Sequence, residues 1–129
     1  MKRYIRSNTT SIIDELNSLP IYNGYNSIPS YVEIGEYESV LSKFPVGTVL
    51  GMDWSAGDCY FRKQSAHEWE SIDSSWYEVH DTTDFEIARK LAGRGNWCKK
   101  PLWIDSEDTF ETIANKSKGN SNNSYMKFW

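Results

Sequence analysis

The chain reads as an α+β domain: a small antiparallel β-meander sheet, residues 45–76, covered by three or four short helices. Two observations predict it. Residues 46–54, 59–63 and 67–72 are rich in β-branched and aromatic residues, and Ser55-Ala56-Gly57-Asp58 and Gln64-Ser65-Ala66 separate them with turn chemistry. On either side of this block the apolar spacing changes to the three-and-four rhythm of an amphipathic helix. A length of 129 residues fits one domain, 1–129, able to bury about two-thirds of the surface its unfolded form exposes.

Taken in order, residues 1–9 are basic and polar, with Tyr4 and Ile5 suited to a short edge strand. Residues 11–19 read as a helix: Ile12, Leu16 and Leu19 fall on one stripe, Ser11 and Asp14 imitate a capping box, and Pro20 ends it. Residues 20–30 carry Pro20, Gly24, Pro29 and several Asn and Ser, the composition of a surface loop pinned by Ile21, Tyr22 and Tyr25. Tyr31-Val32-Glu33-Ile34 reads as strand, and Tyr37, Val40, Leu41 and Phe44 then mark a short helix closed by Pro45. In the meander, Gly47 and Gly51 imply a bulge or close backbone packing. The alternation of Glu68 and Glu70 with Trp69 sets the carboxylates and the indole on opposite faces.

Residues 76–80 read as a fourth strand. Thr83 and Glu86 make a capping box for a helix running to Ala92, with Phe85, Ala88, Leu91 and Ala92 buried and Gly93 stopping it. Residues 101–104 form a further strand, and Asp105 or Ser106 caps a last helix through Phe110, Ile113 and Ala114. Residues 119–124 read as a flexible polar segment, and 125–129 as an aromatic tail docking on the body.

The segment Pro45-Val46-Gly47-Thr48-Val49-Leu50, followed by Tyr60 and Trp69, resembles the PVGTV-type β-meander of small accessory modules in phage and mobile-element proteins. The opening Met1-Lys2-Arg3-Tyr4-Ile5-Arg6-Ser7 is similar to the start of small accessory proteins of Gram-positive mobile elements. What these resemblances imply is a setting in which small inhibitors of host defence occur, anti-CRISPR proteins among them.

Composition narrows the function further. An aromatic share of 15% rules out a solvated disordered tail. A net charge of −4 disfavours a general nucleic-acid binder. Cys59 and Cys98 form neither a disulfide framework nor a CxxC pair, and two histidines are a thin supply for zinc, so no metal and no cofactor is expected. No apolar run approaches a membrane span and no signal-like segment precedes the polar start, so the expected setting is cytoplasmic, without membrane. A thiol, His80 and Asp81 can be written as a Cys–His–acid site, which leaves a small enzyme open as an alternative.

The sharper signal is charge segregation. Glu68, Glu70, Asp73, Glu78, Asp81, Asp84 and Glu86 occupy a stretch without Lys or Arg, and Arg89, Lys90, Arg94, Lys99 and Lys100 occupy one without acid. The simplest reading is that each charge is solvated or paired. The functional reading takes the acidic stretch 68–86 as a face for a protein partner with a basic surface, such as a host defence nuclease, with Trp76 and Tyr77 as aromatic anchors. The alternative uses Arg89, Lys90, Arg94, Trp97, Lys99 and Lys100 as a small nucleic-acid-binding module, with the indole stacking on a base.

Overall fold

A computed structural model describes residues 2–21, 31–54, 57–73, 78–93 and 101–116, with the backbone alone at 2–8 and at 54. Its elements are α1 (Lys2–Ser18), α2 (Tyr31–Leu41), β1 (Val49–Trp54), β2 (Gly57–Lys63), β3 (Glu68–Asp73), β4 (Val79–Thr83), α3 (Asp84–Ala92), β5 (Trp103–Asp105) and a fourth helix, α4, over residues 107–116. The expected α+β architecture is present. Strands β1 to β4 form an antiparallel meander, and β5 adds to the free side of β1, giving the order β4-β3-β2-β1-β5.

Register sorts the side chains onto two unlike faces. Leu50 faces Phe61 and Met52 faces Cys59 across β1–β2, and Phe61 faces Ser71 across β2–β3. With Trp69 these residues meet Ile13 and Leu16 of α1, four buried residues of α2, and Ile87, Ala88, Leu91 and Ala92 of α3 in the main core. The alternate residues Val49, Tyr60 and Ile72 point the other way and pack on Phe110 and Ala114 of α4, with Trp103 and Ile113 at the margin. Three helices therefore lie on one face and one helix on the other.

The helix caps follow the sequence. Thr83 accepts the backbone N–H of Glu86 at 3.3 Å, the expected N-cap of α3, but the Glu86 carboxylate turns to Arg89 rather than back to the cap. The choice between Asp105 and Ser106 for α4 falls on Ser106, whose Oγ accepts from the N–H of Thr109 at 3.2 Å. Asp105 in turn accepts the N–H of Ser106.

Two expected strands are helical. Tyr4 and Ile5 belong to α1, whose reach back to Lys2 makes Ser11 a mid-helix residue rather than a cap. Nothing from Lys2 to Thr10 is Gly or Pro, so no local signal stops the helix there. Tyr31–Ile34 opens α2: Ile34, Tyr37, Val40 and Leu41 are buried at helical spacing, while Tyr31 and Val32 are exposed. The apolar run there mimicked a strand because two of its members face solvent. The fourth strand begins at Val79, later than expected, and residues 74–77 lie outside the described residues. So do residues 22–30 of the expected loop 20–30 and the segments 119–124 and 125–129.

Long-range polar contacts close the domain. The Asn17 side-chain amide donates to the carbonyl of Leu102 and accepts its N–H, both at 2.9 Å, which ties the end of α1 to the approach of β5. Tyr37 Oη donates to the carbonyl of Pro20 at 2.6 Å and holds the chain leaving α1 against α2.

Gly51 is required by close packing: a β-carbon there would overlap the Trp103 indole. Gly47 precedes β1 at a φ of 94° and belongs to the turn, not to the strand. At Gly35, inside α2, a β-carbon would meet nothing within 4 Å. Gly35→Ala is therefore expected to stabilise the fold by roughly 0.5–1 kcal/mol through helix propensity. Gly51→Ala is expected to destabilise it by about 1–3 kcal/mol through overpacking. Urea unfolding midpoints of the two variants should move in opposite directions.

Candidate functional site

The acidic stretch does not make one surface. Glu68, Glu70 and Asp81 lie on the α4 side of the sheet, since Glu70 pairs with Asp81 and Glu68 with Thr83. Asp73 lies on the other side opposite Cys59, whose Sγ is 3.6 Å from its carboxylate. Glu78 flanks β4 within 3.6 Å of His80 Nε2, and Glu86 pairs with Arg89 at 2.9 Å on α3. Asp84 is 2% exposed and is withdrawn from any partner surface, correcting its assignment as a contact residue. Trp76 and Tyr77, the expected anchors, lie outside the described residues.

The strand carboxylates nevertheless gather on one side. Asp53 pairs with Asp58 across β1–β2, in the same alternation as Gly51 with Tyr60, and Asp105 faces Val49 from β5. Asp53, Asp58, Glu68, Glu70, Asp81 and Asp105 thus share the α4 side, and of the acids in the strands only Asp73 faces away. Glu107 and Glu111 of α4 join them through Arg62. That guanidinium donates to Glu70 from Nε at 3.0 Å and from Nη2 at 2.8 Å, pairs with Glu111, stands 3.8 Å from Glu107 and lies over the Phe110 ring at 4.5 Å. Burial works against its charge, but the carboxylates of Glu111 and Glu70 hold its pKa above the usual value. Arg62 is the only Lys or Arg that the described strands direct to this side.

Asp105 is also anchored. Burial pushes its carboxyl up, but hydrogen bonds from Thr109, Trp103 Nε1 and the Ser106 N–H hold it below the ordinary carboxylate range. Sequence reasoning missed Arg62, Glu107 and Glu111, since nothing in their spacing reveals that α4 crosses β2.

A second polar group holds the opposite core. Trp69, fully buried, donates from Nε1 to Asp84 Oδ1 at 2.6 Å, and Asp84 Oδ2 lies 2.8 Å from Nδ1 of the exposed His67. Lys63, 2% exposed, donates from Nζ to the carbonyls of Leu41 and Ser42, each at 3.1 Å, at the end of α2. Burial lowers its pKa and the Asp84 charge opposes that shift. The acid that His67 reaches, Asp84, comes from the start of α3.

The basic stretch is divided as well. Arg89 pairs with Glu86, Lys90 lies over Phe61 at 5.8 Å, and Arg94, Trp97, Lys99 and Lys100 lie outside the described residues, as does Cys98. Cys59 is no activated nucleophile: burial first, then the charge of Asp73, pushes its thiol up to about 12. No described helix is long and apolar enough to cross a membrane, and the described residues contain no group of three or more His, Cys, Asp or Glu able to hold a metal ion. Comparison of the chain with protein-family models, with curated proteins and with solved structures gave no match.

Two predictions follow from these contacts. Asp84→Ala removes both acceptors and leaves the Lys63 ammonium buried without its compensating charge, an expected cost of about 3 kcal/mol in urea unfolding. In a Lys63→Met background the same change should cost less, because the two side chains are coupled.

The second concerns alkaline pH. The Cys59 thiol and the Tyr60 hydroxyl both titrate at about 12 in the fold, Tyr60 through burial and the charge of Asp58, against ordinary values of 9.0 and 10.0. From pH 9 upward the native state holds protons that the unfolded chain releases, so the stability these groups contribute below pH 9 is lost as pH rises toward 12. Thermal melts at pH 8 and pH 11 should show a smaller fall in Tm for Cys59→Ala/Tyr60→Phe than for the parent chain.

Proposed function

We propose that this chain is a non-enzymatic protein-binding inhibitor from a phage or mobile element, of anti-CRISPR type in its most concrete form. It occupies a basic surface on its partner with the acidic side of its sheet. One observation carries the reading: six of the strand carboxylates share the α4 side, where Arg62 is the one Lys or Arg of the described strands, and the helix adds Glu107 and Glu111. Such one-sided charge steers a basic partner into encounter and penalises an acidic one. The PVGTV-type meander supports the phage or mobile-element setting, and a partner that handles nucleic acid, such as a host defence nuclease, carries the basic groove this surface suits. A raised thiol pKa at Cys59, with Asp73 rather than an imidazole beside it, speaks for recognition over nucleophilic chemistry.

Glu68 and Asp81 are exposed, and neither is among the Arg62 ligands. Glu68→Lys/Asp81→Lys is expected to lower partner association at low salt at least tenfold, with Tm unchanged and the salt dependence flattened. Capture of basic proteins from bacterial lysate, followed by association rates at two ionic strengths, measures this. Equal capture by the variant would refute the reading.

A further inference from the structure

A cavity of about 350 Å³ opens on the other side of the sheet, between α3 and the β3–β4 edge. Phe61 and Ile87 form its apolar base, and Ser71, Thr82 and Lys90 line it. Register explains how the two hydroxyls come together: Ser71 faces Phe61 from β3, and Thr82 faces Trp69 from β4, so both stand on the α3 side.

Neither the Ser71 nor the Thr82 hydroxyl has a hydrogen-bond partner among the described residues, although both side chains are only partly exposed. Hydroxyls left open beside an apolar base are donors available to a ligand. Lys90 adds an ammonium. Its Nζ lies 5.8 Å from the Phe61 ring centroid, and no described carboxylate stands within ion-pair distance of it. The two other charges in the lining, Glu86 and Arg89, neutralise each other at 2.9 Å. Lys90 is then the one charge of the lining left over, and the Asp73 carboxylate further along the same face, whose charge reaches Cys59 as that of Lys90 does, opposes a second negative charge. That balance suits a single negative charge rather than a double one.

We propose that this cavity binds a small organic carboxylate bearing one ring. The carboxylate accepts from Ser71, Thr82 and Lys90, and the ring lies along the Lys90 stem above Phe61 and Ile87. The volume stands at the lower end of the range for ligand pockets, which limits the occupant to a compact molecule. The site is separate from the acidic surface, which lies across the sheet.

Titration of the full-length, ¹⁵N-labelled chain with benzoate tests this, with benzamide as the uncharged isostere and inorganic phosphate as the ringless anion. Benzoate should produce saturable amide shifts at Ser71, Thr82 and Lys90, with benzamide and phosphate each at least tenfold weaker. Lys90→Gln, and separately Ser71→Ala/Thr82→Val, should weaken benzoate at least fivefold without lowering Tm. Absence of saturable shifts at these residues up to about 20 mM benzoate would overturn the proposal. So would benzamide or phosphate binding as tightly as benzoate, a comparison made on the parent chain alone and independent of how the variants fold.

Discussion

The fold depends on how Trp69 is buried. An indole placed wholly inside a core must find an acceptor for its N–H, and here that acceptor is the carboxylate of Asp84, itself almost inaccessible. A buried carboxylate needs more than one neutral donor. It receives the His67 ring from the solvent side and the compensating charge of Lys63 from the strand beside it. Lys63 in turn stands over the Trp69 ring at 5.6 Å and spends its donors on the last carbonyls of α2, which a helix end otherwise leaves open. One group thereby joins β2, β3, the start of α3 and the end of α2. Phe44 meets the same indole edge-on at 6.2 Å, so the chain that enters the meander is fixed at the point where the helices are.

That arrangement leaves the two sides of the sheet with different work. The side under α1, α2 and α3 is apolar and takes the bulk of the core, and its polar groups are either engaged, as Lys63 is, or gathered at the β3–β4 margin around Ser71 and Thr82. The side under α4 carries a smaller core around Phe110 and leaves the outer strands to charged residues. Arg62 is the hinge of that second side. Its guanidinium lies over Phe110 while its donors hold Glu70 and Glu111, so one cation keeps several carboxylates close together at limited repulsive cost. A surface built so is suited to meeting a basic partner, since incoming cations find carboxylates already oriented and, among the described strand residues, one resident cation.

Much of the architecture was legible in the residues. The turn chemistry between short β-rich runs gave the meander, the opposition of Trp69 to Glu68 and Glu70 followed from a period of two, and Thr83 with Glu86 marked the start of α3. Errors fell where local signals were ambiguous. Tyr31-Val32 is an apolar pair that a strand would use, yet it lies on the outer face of α2 because the next buried positions are Ile34 and Tyr37. Asp84 looked like one acid among seven, and no feature of its neighbourhood in the chain announces that an indole fifteen residues away will claim it.

The sequence by itself determined the secondary elements of the meander, the Thr83 N-cap of α3 and the excess of negative charge, because these follow from dihedral preferences, turn chemistry and composition, all of them local. Only the tertiary structure decided which carboxylates act together. Strand register, fixed by which residues must be buried, turned Glu68, Glu70 and Asp81 to one side with Asp53, Asp58 and Asp105, sent Asp73 to the other, and drew Asp84 into the core. Because adjacent residues of a strand point to opposite faces, nearness in the chain says little about nearness on the surface.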